Sequence, residues 1–161
     1  GTTTNKITPV KIMADNVKDI ATGDGHSIIL KNDNTVWTVG ISDYGQLGDG
    51  IFSNTPKTSF TKVATGVKSI AAGSSHSLVL KTDNSLWGTG YNGRGQLGDN
   101  TTADKETFVR LMDNVKAVWA GNYNTWVLKT DNTLWAAGVN SNGQLGIGST
   151  TNKTIFTKIN F

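Results

Sequence analysis

The sequence predicts an all-β protein made of three tandem copies of one unit. Two kinds of landmark predict it. The tetrapeptide "GQLG" starts at Gly45, Gly95 and Gly143, so the copies are offset by 50 and 48 residues. Trp37, Trp87 and Trp135 keep these offsets, as do Gly23, Gly73 and Gly121, and the segments "KNDN", "KTDN" and "KTDN". Matched periods of this length belong to propellers, solenoids and repeat arrays, whose units bury their apolar faces against one another. A third observation is composition: Thr, Asn, Ser and Gly fill the space left by 36% hydrophobic and 17% charged residues. Thr favours sheets, and Asn and Gly favour tight turns.

Each unit reads as four short strands. In the second copy, "FTKV" (60–63) is the first and "VKSIAAG" (67–73) the second. "HSLVLK" (76–81) and "SLWGTG" (85–90) follow, joined by the tight turn "TDN", where Asn84 can take the left-handed conformation. Apolar residues alternate in the second strand and bunch in the third, as in strands buried on one face or on both. No segment has helical periodicity. The three copies fall at about 9–59, 60–107 and 108–155, with an extra strand at 156–161.

Gly93, Gly95 and Gly98 have the G-x-G-x-x-G spacing that cradles a pyrophosphate at a helix N-terminus. Asp43 and Ser141 replace Gly93 in the other copies, and the polar run "DNTTADKE" follows Gly98 where a nucleotide-binding unit has an apolar helix. The glycines are read instead as serving tight turns and close backbone approach.

Composition narrows the function. With no Cys, disulfides, thiol catalysis and thiolate metal sites are excluded. The net charge of +3 is mild, and Arg94 and Arg110 are the only arginines, which argues against nucleic acid as the partner. No apolar run is long enough to span a membrane. The sequence shows no signal peptide, though a chain from which one had been removed would look the same. The Lys-over-Arg bias, the Thr and Asn richness and the lack of Cys suit an exported or cell-surface bacterial protein.

The segment "GSSHSLVLKTDNSLWGTGYNGRGQLG" (73–98) resembles the regulator of chromosome condensation repeat, and the resemblance covers essentially the whole chain. It implies a β-propeller, in that family usually of seven blades, each a four-stranded antiparallel sheet. It also implies work through protein or nucleic-acid surfaces, without catalysis or cofactor. Three repeats fall short of seven, and the start "GTTTNKITPVKI" matches the end "GSTTNKTIFTKI". The expectation is therefore a propeller segment, either part of a longer chain or completed into a ring by self-association through open blade edges.

No enzyme or metal site emerges. His26 and His76 occupy one repeat position, replaced by Asn124 in the third copy, and a structural role fits them better than ligation. Asp33, Asp83 and Asp131 suit the turns, and Trp37, Trp87 and Trp135 suit anchors between blades. Lys18, Lys68 and Lys116, with Lys31, Lys81 and Lys129, would ring one face. That ring could attract an acidic polymer such as DNA or teichoic acid, but protection of strand ends explains it as well.

Positions that differ between copies are freer to be chosen by a ligand. Before GQLG stand Tyr44, Arg94 and Asn142; the loop between the second and third strands carries Tyr123 in the third copy. Trp119 replaces Ala21 and Ala71, and Trp126 replaces Ile28 and Leu78. Tyr, Trp and Arg are typical binding hot spots. The reading is a non-enzymatic module that binds a protein through one face, with Tyr44, Arg94, Asn142, Tyr123 and Trp119 as contacts. A purely structural repeat and a glycan binder using Trp119, Tyr123 and Trp126 are the alternatives.

Overall fold

The computed structural model describes residues 2–12 and 16–160. The repeat boundaries read from the sequence also take in residues 13–15 and 161, which lie outside that range. The described residues contain twelve strands and no helix. The first sheet comprises β1 (Val17–Thr22), β2 (His26–Lys31), β3 (Val36–Ser42) and β4 (Ser53–Ala64). The second comprises β5 (Val67–Ala72), β6 (His76–Lys81), β7 (Leu86–Gly90) and β8 (Lys105–Met112). The third comprises β9 (Val115–Ala120), β10 (Asn124–Lys129), β11 (Leu134–Gly138) and β12 (Lys153–Lys158). Each is an antiparallel meander, a propeller blade, with neighbours in chain order. The three blades leave the ring open.

The blades run one strand out of phase with the sequence repeats. Residues 60–63 lie in β4, which pairs with β3 and completes the first blade. Likewise β12 completes the third blade, and it is residues 2–12, similar in sequence, that form no strand. A period defines the length of a unit but not where to cut it, so pairing partners were not legible.

The turn between the second and third strands of each blade is one device built three times. Asp83 Oδ1 accepts the backbone N–H of Ser85 at 2.9 Å and its hydroxyl at 2.6 Å. Trp87 Nε1 then donates to Ser85 Oγ at 2.8 Å, and Lys81 Nζ sits 4.1 Å above the indole. Asp33, Thr35, Trp37 and Lys31 repeat this, as do Asp131, Thr133, Trp135 and Lys129. These bonds hold all three aspartates below the ordinary carboxylate range. Lys68 and Lys116 donate to the side-chain oxygens of Asn84 and Asn132. These lysines are thus tied into turns.

Asn34, Asn84 and Asn132 all have φ between 61° and 67°. Ala at such a φ costs about 1 kcal/mol. Asn84→Ala, which also removes the acceptor of Lys68, is expected to lose about 1 kcal/mol or slightly more in a urea titration. No loss would mean that the turn relaxes.

The core lies between blades. Ile28, Leu30 and Val36 of the first pack against Val67, Ile70 and Val79 of the second, with Trp87 and Phe108 at the margin. Leu78, Leu80, Leu86 and Leu97 of the second pack against Val115, Val118, Val127 and Phe156 of the third, with Trp135 at the margin. Trp87 and Trp135 are therefore anchors between blades. Polar bonds cross the same boundaries. His26 Nε2 lies 2.9 Å from Ser77 Oγ, which itself donates to the Gln46 carbonyl at 2.7 Å. Ser77 must therefore accept, and His26 carries its proton on Nε2. His76 Nε2 makes the equivalent contact with Thr125 Oγ1 at 3.2 Å. Both rings are buried and structural, and no metal-ligating cluster occurs among the described residues.

Candidate functional site

The loops that carry the variable residues gather on one face because backbone bonds tie them together. Tyr91 N donates to the Ser75 carbonyl and Val139 N to the Tyr123 carbonyl, each at 2.8 Å, joining the two loop sets within a blade. Asp24 N donates to Ser74 O at 3.0 Å, and Ser74 N to Asn122 O at 3.2 Å, joining successive blades.

The GQLG motif presents the residue before it. Gln46 Oε1 accepts the Tyr44 backbone N–H at 2.9 Å, Gln96 Oε1 that of Arg94 at 3.1 Å, and Gln144 Oε1 that of Asn142 at 2.9 Å. Below them buried Asn92 stitches its loop, donating to Asp99 Oδ1 at 2.9 Å and accepting from Leu97 N at 3.0 Å. Asn140 does the same in the third blade through Ser149 O and Leu145 N. The variable side chains thus stand on rigid supports.

The result is a cleft of about 530 Å³ bounded by Asp24, Tyr44, Tyr91, Arg94, Tyr123 and Asn152. The rings of Tyr44 and Tyr91 are 4.9 Å apart, and those of Tyr91 and Tyr123 6.0 Å apart in an edge-on arrangement. Tyr44 and Tyr123 remain exposed. Three loops from three blades therefore meet in one aromatic row, with one cation and one carboxylate beside it.

Of the residues singled out in the sequence, Tyr44, Arg94 and Tyr123 line this cleft, and Asn142 and Trp119 do not. Trp119 lies within β9 opposite Trp126, whose side chain packs on the outer cluster of the third blade. Tyr91 was missed. Its counterparts are Ile41 and Val139, so the contrast between copies that singled out Tyr44 would also have found it. The glycine fingerprint has a local explanation: a Cβ on Gly93 would come within 2.5 Å of the Tyr91 hydroxyl.

The family model for the regulator of chromosome condensation (RCC1) repeat matches residues 17–46 and 67–96, and a second model of that repeat matches 33–80. The chain is built of RCC1 repeats. Among solved structures it is similar to Prp20p from Saccharomyces cerevisiae, described with its binding to Gsp1p and histones, at 24% identity and TM-score 0.82. That alignment covers 91% of this chain and 39% of Prp20p. Yeast RCC1 (Prp20) with bound Kap60 gives 24% identity and TM-score 0.82 over 91% of this chain and 37% of that one. Human WBSCR16 gives 22% and 0.80 over 94% and 40%. The RCC1-repeat chain therefore spans about two-fifths of these structures, and at such identities the likeness carries the propeller fold. No curated protein matches this sequence. No helix among the described residues is long and apolar enough to cross a membrane.

Proposed function

We propose that this chain is a non-enzymatic RCC1-repeat module that binds a protein partner through the tyrosine-lined cleft. The observation that carries the reading is the row Tyr44, Tyr91 and Tyr123 with Arg94 alongside, all at positions where the copies differ. Large amphipathic rings bury much area at small entropic cost, and such residues dominate protein interfaces. Prp20p, built on the same fold, is described as binding Gsp1p and histones, which supports a protein ligand. Trp119 and Trp126 are not among the residues that line this cleft, which favours the protein-binding reading of the tyrosine row over a glycan platform.

Proteins captured by the wild-type chain provide the partner, and calorimetry measures its affinity. The variant Tyr44→Ala, Arg94→Ala, Tyr123→Ala is expected to weaken binding by at least about 2 kcal/mol, roughly thirtyfold. Its Tm should stay nearly unchanged, since Tyr44 and Tyr123 are exposed and Arg94 projects from a loop tip. Replacing Lys18, Lys68 and Lys116 should leave binding intact. Loss of binding in the lysine variant, with retention in the cleft variant, would place the partner on the opposite face.

A further inference from the structure

The ion pairs inside the blades follow a rule that the third blade breaks. In the first blade Lys57 pairs with Asp49, and in the second Lys105 Nζ lies 3.0 Å from Asp99 Oδ2. These lysines hold one strand position, opposite Gly40 and Gly90, and each aspartate follows the GQLG of its own blade. Lys153, opposite Gly138, is the third lysine of the set, but Ile147 stands where its aspartate would be. Lys153 therefore has no ion pair among the described residues. Both intact pairs are made within a blade, so the loss comes from the substitution and not from what adjoins the third blade.

Lys153 stands at the edge of the tyrosine cleft. It follows Asn152, which lines the cleft, and its carbonyl oxygen would lie 2.8 Å from a Cβ on Gly95, in the turn that presents Arg94. Arg94 likewise has no acidic partner among the described residues, whereas Arg110 is held by Asp113 at 2.5 Å. The one carboxylate lining the cleft, Asp24, is already engaged, since it accepts the Ser74 hydroxyl. Two uncompensated cations thus flank the tyrosine row.

The seat of the central ring is cleared at the expense of a hydrogen bond. In the first blade Gln46 Nε2 donates to Asp43 Oδ1 at 2.8 Å. Gly93 replaces that aspartate in the second blade, and Gln96 Nε2 is buried with no partner among the described residues. A buried donor left unpaired weakens a fold. The backbone does not require glycine here, because Gly93 lacks the positive φ of Gly95 and Gly98. The Tyr91 side chain does require it, with the phenol 2.5–2.7 Å from where a Cβ would stand. The bare position lets Tyr91 lie between Tyr44 and Tyr123. Proteins break local rules of this kind at functional sites.

We infer that the cleft takes an acidic segment of its protein partner, lying on the Tyr91 ring with its carboxylates against Arg94 and Lys153. The inference rests on the cleft being the binding site and adds the chemistry of what enters it. Charge complementarity selects the occupant. An acidic side chain gains a partner at Arg94 or Lys153, whereas a basic one meets two unpaired cations and a carboxylate already taken. The guanidinium of Arg94 offers a planar fork that matches a carboxylate. The tyrosine rings give the apolar stems of Glu and its neighbours area to bury.

Short random peptides displayed on phage are the probe, selected on the full chain at low salt. The selected sequences should carry Asp and Glu well in excess of Lys and Arg. The leading peptide, labelled with fluorescein, is then titrated by anisotropy. Arg94→Ala and Lys153→Ala should each weaken it about tenfold, and Lys18→Ala, which removes the same charge elsewhere, should not. Ile147→Asp is the sharper variant. It gives Lys153 the aspartate that Lys57 and Lys105 have, so it should weaken the acidic peptide several-fold without changing the circular dichroism spectrum. Tyr91→Ile with Gly93→Asp copies the first blade, and should raise Tm while lowering affinity about tenfold. Peptides lost on Tyr44→Ala with Tyr123→Ala, yet free of acidic bias or indifferent to Arg94→Ala and Ile147→Asp, overturn the inference and leave the cleft as a site. Peptides indifferent to the tyrosine variant as well overturn the cleft reading, and this inference with it.

Discussion

Below pH 6.5 the protein is expected to lose stability steeply, and its two histidines should carry most of the loss down to about pH 4.5. Burial holds His26 down to about 4, against the pull of Asp24 and Asp43 in the other direction. Burial holds His76 down to about 3, with His26 adding to the effect. Each is neutral when folded and titrates near 6.5 when unfolded. Between those values the unfolded chain binds more protons, so stability rises with pH through the window and falls on acidification. At pH 4 the combined cost is roughly 6 kcal/mol, at 1.4 kcal/mol per unit for each ring. Domain stabilities are about 5–15 kcal/mol, so that cost is enough to unfold many.

The turn aspartates act in a lower window. Their folded values are depressed, so their contribution is present above the ordinary carboxylate value and lost only as pH falls through the folded one. Measurements above pH 4.5 therefore isolate the histidines. The variant His26→Asn, His76→Asn copies the residue at the third position, Asn124. It should be less stable at pH 7, having lost the bonds to Ser77 and Thr125, but nearly flat between pH 6.5 and 4.5. A variant with the wild-type slope would show that other groups carry the acid dependence.

Recurring residues were legible because blade geometry demands them three times over. The Asp–Asn turns, the tryptophan anchors and the structural histidines could all be read from offsets. What could not be read is which strands pair. The twelve strands and their turns are local, whereas β4 joining β3 depends on a loop whose length alone does not say which way the chain folds back. The site was legible in the same proportion. Tyr44, Arg94 and Tyr123 stand at loop positions set by the repeat. Trp119, singled out because the other copies carry Ala, lies within β9 opposite Trp126 and outside the loops that form the cleft. Tyr91 escaped because its counterparts, Ile41 and Val139, looked like ordinary strand ends.

Two chemically identical substitutions should separate widely in effect. Gly98 and Gly146 hold the last position of GQLG in the second and third blades, each with φ of +66°. Ala at either position carries the left-handed cost of about 1 kcal/mol. At Gly98 the new methyl would also lie 2.5 Å from two carbons of the buried Phe156 ring. That ring is packed among Leu78, Leu97 and Val127 and cannot swing aside without opening the core between blades. Overpacking of this kind adds about 1–3 kcal/mol, so Gly98→Ala should lose about 2–4 kcal/mol in a denaturant titration. Gly146→Ala meets empty space and should lose only about 1 kcal/mol. Equal losses would mean that the Phe156 contact contributes nothing beyond the backbone term.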